Sequence, residues 1–333
     1  MIDKIPDLLD KKFAVGFFLP FLLFLVLSIL VFQGYDIQSQ ISAGKITAQE
    51  SFFNLFEKNS LEILANASLV VLFSWIGGII LVAINRELIR FAEGYGDRNP
   101  LKMLQPIEDF WSKRLQNRID FLEKELDKHE EENRDFPDSL KQERRIKHTL
   151  RVERFPCRPP LLPTSFGNVM RAFEQYPRTM YGVDAIIAWE RLLSIIPGDY
   201  RDFMDDAKSH VNFWLNIWYL LFVLLFEYLA LAFHYRFSLF SWPWQLLFSL
   251  ILFFTALWFS FSRTVASAQR YGKFVKSAFD LYLPDLRRAL HFKAPTSDEE
   301  ARKQWQSFNQ AIVYAIPESL PERDYEQVKE RDK

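Results

Sequence analysis

Four stretches of this chain are long, apolar and nearly free of charge, and they limit what it can fold into more than any other feature. The hydrocarbon core of a bilayer is about 30 Å thick, so a helix needs about 20 apolar residues to cross it. Residues 13–32 and 63–84 meet that test with no charged residue. Residues 211–233 meet it with one interruption, Glu227, and residues 242–262 run uncharged up to Arg263. In lipid every backbone polar group must be satisfied within its own segment, so these runs are expected as helices. The first run has Lys11 and Lys12 before it, as a signal peptide would. It is longer than the usual h-region of about 7–15 residues, and no small-x-small cleavage site follows, so it reads as a retained span. The expected fold class is all-α: a polytopic membrane protein with four transmembrane helices and a helical cytoplasmic domain.

Lys and Arg in the flanks set the orientation. Residues 1–12 hold Lys4, Lys11 and Lys12, and the loop 33–62 holds Lys45 and Lys58. Residues 85–210 hold 22 Lys and Arg, the turn between spans three and four holds only Arg236, and residues 263–333 hold 13. Close to the span ends, Arg86, Arg90, Lys208, Arg263 and Arg270 all belong to the basic side. The expectation is a multi-pass protein of the cell inner membrane, N-in and C-in. Two transmembrane hairpins, 13–84 and 211–262, alternate with cytoplasmic segments 1–12, 85–210 and 263–333. Trp242 and Trp244 mark the outer interface, where amphipathic rings settle.

The spans differ in bulk. Span two is the least bulky, with Ser68, Gly77 and Gly78 among its residues. Asn66, Val70, Ser74 and Gly77 step by three and four, so they share a helix face, a candidate pore or packing face. Span two is therefore expected at the centre of the bundle, with the aromatic spans against lipid. Glu227 is the one ionisable residue inside a span, and such residues carry a functional hypothesis by default. It either reaches the outer surface or is hydrogen-bonded or pore-facing within the bundle.

The remainder is highly charged. Span two is expected to continue as helix and break at Gly94-Tyr95-Gly96 or Asn99-Pro100. A charged helical hairpin follows over 106–155, with Ile119, Leu122 and Leu126 on one face and a turn at Phe136-Pro137-Asp138. Its second arm carries Arg144, Arg145, Lys147, Arg151 and Arg154, suited to anionic lipid heads, RNA or an acidic partner helix. Arg158 to Pro163 is extended, because each Pro restricts its own φ and its predecessor. Thr164 then caps a helix from Ser165 to about Gln175, with Tyr176-Pro177 as its end. Residues 185–196 form an apolar helix too short to span. It is either a core helix or an inner-interface helix with Trp189 as its anchor. After span four a helix runs from Arg263 to Leu290 with a kink at Pro284, and a further helix opens near Ser297 with Trp305 and Phe308 on one face.

The stretch Leu162-Pro163-Thr164-Ser165-Phe166-Gly167-Asn168-Val169-Met170-Arg171-Ala172-Phe173-Glu174 is followed by Tyr181-Gly182-Val183-Asp184-Ala185 and Trp189-Glu190-Arg191-Leu192. With Phe279-Asp280-Leu281-Tyr282 after the last span, it resembles a pattern in a group of uncharacterised bacterial four-span integral membrane proteins. The resemblance implies a bacterial membrane protein and brings no activity with it.

No recognisable chemistry stands out. There is no Walker loop, no Gly-x-Gly-x-x-Gly, no Gly-x-Ser-x-Gly and no His-Glu-x-x-His. With 11 Gly spread thinly, a phosphate-cradling loop is not expected, and a single Cys excludes an internal disulfide and a Cys-rich metal cluster. His129, His148, His210, His234 and His291 are far apart in sequence. Asp199, Asp202, Asp205 and Asp206 read as charges near a helix start rather than a divalent site. No catalytic, cofactor-binding or metal residue is expected, and no cofactor. The net charge of -1 gives no case for nucleic acid as a partner. The expected function is a homo-oligomeric membrane scaffold or sensor presenting cytoplasmic helices, with the lipid bilayer, further copies of itself and a cytoplasmic protein as partners. The rival is an ion channel or pore lined by span two, a layout shared with bestrophin-type channels in topology only.

Overall fold

The computed structural model describes residues 10–42, 60–234 and 243–324, and within them the side chains of 10–35, 67–234 and 247–324. Helix accounts for 83%, with no strand among the described residues. A short turn of helix, Lys11–Phe13, and a π-helical stretch, Ala14–Phe18, lead into α1, Leu19–Ser42. The other helices are α2 (Ser60–Glu93), α3 (Gln105–Glu131), α4 (Asp138–Arg154), α5 (Ser165–Met180), α6 (Ala185–Leu193), α7 (Gly198–His234), α8 (Pro243–Ala289) and α9 (Asp298–Tyr314). Four segments are long and apolar enough to cross a membrane: Lys11–Tyr35, Ala67–Glu93, Gly198–His234 and Leu247–Ala289. They leave large apolar side chains uncovered, among them Leu30, Phe32, Phe73, Phe226, Phe248 and Trp258. Apolar surface on that scale is what lipid would cover. The architecture is all-α among the described residues and fits a multi-pass membrane protein.

The chain divides into two compact units, one of Met1–Leu88 with Lys208–Ser267 and one of Ile89–Ala207 with Ala268–Lys333. In the first unit α1 and α2 meet at glycines. A Cβ on Gly77 would lie 2.3 Å from the Phe21 ring, and one on Gly78 would lie 3.0 Å from the Phe13 ring and 3.3 Å from the Phe18 backbone. Without side chains at these positions the rings sit directly on the α2 backbone. The expected central place of span two is not what one chain shows. In the most apolar 18-residue stretch of each helix, 39% is buried in α7 against 22% in α2. The small residues of α2 cover one side only, while Leu69, Leu72, Phe73, Ile76 and Ile80 point outward. The third span buries Leu215, Trp218, Leu220 and Leu224, and Trp218 packs on Phe261 at 5.2 Å between ring centres.

In the second unit α2 ends at Glu93, where Gly94 (φ 92°) and Gly96 (φ 102°) take left-handed conformations that a side chain would resist. Thr164, Asp184 and Ser297 cap α5, α6 and α9 by accepting hydrogen bonds from the backbone N–H of Gly167, Ile186 and Glu300. The core gathers Phe173, Leu192, Ile196, Phe279, Leu286, Trp305 and Phe308. Gly272 brings α8 onto α5, since a Cβ there would meet the Phe173 ring at 2.6 Å. One expectation fails: Pro177 does not end α5, which runs on to Met180. A proline removes one donor without forbidding the next turn, and the Pro177 carbonyl accepts from Tyr181 N at 2.8 Å. Pro284 likewise lies inside α8.

Candidate functional site

The densest polar structure in the second unit is built on the segment 162–168, whose sequence is Leu-Pro-Thr-Ser-Phe-Gly-Asn. Asn168, on the first turn of α5, is fully buried. Its Oδ1 accepts from Leu162 N at 2.7 Å, and its Nδ2 donates to Leu162 O at 2.8 Å and to Glu108 Oε2 at 3.1 Å. The other carboxylate oxygen of Glu108 accepts from Ser165 Oγ at 2.5 Å, and Arg154 stands 3.8 Å from it. Arg154 also donates to Ser165 Oγ at 3.2 Å. Thr164 Oγ1 donates to Ala92 O at 2.7 Å while capping α5. A Cβ on Gly167 would strike Glu93 O at 2.3 Å, so only glycine lets α5 press on the end of α2. The segment thus locks α2, α3, α4 and α5 together. A carboxylate this deep is tolerable because a guanidinium and two hydrogen-bond donors, Ser165 and Asn168, compensate it. The amide and carboxylate are spent on one another, which makes this a structural lock and leaves little for a substrate.

Two further contacts tie the motif together. Tyr176 and Tyr181 both donate to Asp280 Oδ1, at 2.9 and 2.7 Å, joining α5 and its C-cap to the Phe279–Tyr282 segment of α8. Burial and the acceptor Asp280 raise both phenols, Tyr176 to about 12. Glu93, the last residue of α2, is buried. Glu174 is raised in pKa, chiefly by burial.

The residues singled out from the sequence scatter over the first unit and beyond. Ser74 is fully buried and donates to Val70 O at 2.6 Å, and Gly77 lies under Phe21, so this part of the face is occupied by α1. Glu227 accepts from Ser28 Oγ at 2.5 Å, a bond between α1 and α7. Trp189 is half-buried in the second unit, 5.9 Å from the Phe279 ring, while its neighbour Ile186 is exposed. The side chains of Asn66 and Trp244, and all of Trp242, lie outside the described residues. Sequence reasoning missed a group of amides in the first unit. Asn216 donates to Gly16 O at 2.9 Å, in the π-helical stretch, and Asn85 donates to Asn212 Oδ1 at 3.4 Å. The Oδ1 atoms of Asn85 and Asn216 are buried with no donor. Nothing in their sequence surroundings, charged beside Asn85 and mostly apolar beside Asn212 and Asn216, marks them as partners.

Among the described residues no three His, Cys, Asp or Glu side chains are grouped to hold a metal ion. No protein-family model matches the chain, and no curated protein or solved structure shows significant similarity to it.

Proposed function

We propose that this is a homo-oligomeric membrane scaffold or sensor of a bacterial inner membrane, with both termini and the second unit in the cytoplasm. One observation carries the preference for a scaffold over a pore. Ser74 is fully buried and Gly77 lies under the Phe21 ring of α1, so this part of α2, the natural lining for a conduit, is covered. The Asn168, Glu108 and Ser165 side chains of the second unit, meanwhile, are engaged with one another in holding helices together, as a presenting platform requires. The Lys/Arg asymmetry supports the orientation. The likeness of residues 162–192 and 279–282 to the bacterial four-span group supports the source.

A channel is the second reading, favoured by the unpaired amide oxygens of Asn85 and Asn216 within the bundle. Purified full-length protein separates the two. The scaffold reading expects a discrete multimer by light scattering in detergent and no current in planar bilayers. A reproducible, ion-selective conductance would reverse the preference.

A further inference from the structure

The hairpin of α3 and α4 carries a groove of about 580 Å³ whose lining is both apolar and cationic. Trp111, Phe121 and Leu150 supply the apolar part, and Arg114, Arg118, Lys147 and Arg154 the charge. Glu143 is the one carboxylate lining it, and it is already taken: Arg118 Nε and Nη2 grip it at 2.8 and 2.7 Å. Arg154 is turned to Ser165 and Glu108. Arg114 and Lys147 have no carboxylate within salt-bridge distance among the described residues, and Arg114 lies 5.5 Å over the Trp111 ring. The rings that should be inside are outside: Trp111 is 44% and Phe121 48% exposed. On the same face of α3, Ile107 and Phe110 are 51% and 58% exposed. They extend the apolar stripe toward the end of α3 that the chain joins to span two.

We propose that this groove binds an anionic phospholipid of the bilayer in which the spans sit. Arg114 and Lys147 take the headgroup phosphate, and Trp111 and Phe121 take the glycerol and upper acyl chain. The exposed Arg114 and the half-buried Lys147 match an anionic lipid, and the mixed aromatic and cationic face is that of an interfacial helix. A free phosphate would use the cations and leave the rings in water. An acidic peptide or a second copy would use both, but neither accounts for a stripe that begins at the end of α3 joined in sequence to span two.

The proposal rests on the chain being membrane-embedded, which the experiment reads separately. Full-length protein with Cys157→Ser and Asn117→Cys is labelled with an environment-sensitive fluorophore and placed in nanodiscs of phosphatidylcholine, with or without phosphatidylglycerol. Co-elution with the discs establishes insertion. A headgroup-labelled quencher lipid then reports contact. The anionic discs should give about fivefold stronger quenching, and Arg114→Glu with Lys147→Glu should abolish the difference. A label at Glu131 should show no such difference. Thermal unfolding shows whether the double variant is folded, and Arg114→Gln alone should give a partial loss. Equal quenching in the two kinds of disc, or a difference unaffected by the charge reversal, would overturn the proposal. So would full relief by soluble glycerol phosphate, which would mean a site for free anions. Lipid-independent transfer between labelled copies would assign the groove to a protein contact instead.

Discussion

Replacing Asn168 by alanine removes three hydrogen bonds from a fully buried position and leaves Leu162 N, Leu162 O and one oxygen of Glu108 without that partner. A neutral hydrogen bond contributes about 0.5–1.5 kcal/mol and one to a charged group about 1.5–3 kcal/mol, with buried unpaired groups at the upper end. The expected loss is about 4 kcal/mol. For a unit of 150–250 residues that is a fall in Tm of about 10 °C. Differential scanning calorimetry in detergent measures it, and hydrogen exchange localises it, because the Leu162 amide is protected by the Asn168 oxygen alone. The lock should open at Leu162 before the core around Phe279 exchanges. Asn168→Asp keeps the acceptor for Leu162 but sets a second carboxylate beside Glu108. Its destabilisation should ease as pH falls into the carboxylate range. A Tm loss under about 2 °C with Leu162 still protected would refute the lock.

Two other outcomes follow from the packing. Gly77→Ala should destabilise the first unit by forcing the Phe21 ring away, and Phe21→Ala should restore it; chromatography after graded heating in detergent reads both, and a missing rescue would place the cost elsewhere. Trp189→Glu should lower the melting of the second unit by several kcal/mol, since it sets a charge against Phe279; unchanged melting would mean this face is open.

What the sequence discloses here is what depends on local pattern. The uncharged runs mark the long apolar helices because lipid-crossing length is a property of consecutive residues. The glycines at 94 and 96 and the cap at Thr164 likewise carry their meaning within a few positions. Pro177 misleads because a local rule, that proline ends helices, yields to the packing of a buried turn. The lock itself is illegible in one dimension. Asn168 and Glu108 are 60 residues apart, and nothing in either neighbourhood names the other. The same holds for Ser28 and Glu227, whose bond spans 199 residues. The enclosure of span three escapes a reading based on small residues, because what buries a helix is how many neighbours surround it.

Sidedness is the decisive measurement. Single cysteines at Ser39, Ser51 and Ser139, in a Cys157→Ser background, are exposed to a membrane-impermeant thiol reagent in intact cells and again after lysis. With residues 85–210 in the cytoplasm, Ser39→Cys and Ser51→Cys should label in intact cells and Ser139→Cys only after lysis. Labelling of Ser139→Cys in intact cells, with Ser39→Cys and Ser51→Cys protected, would contradict the orientation and the cytoplasmic scaffold with it.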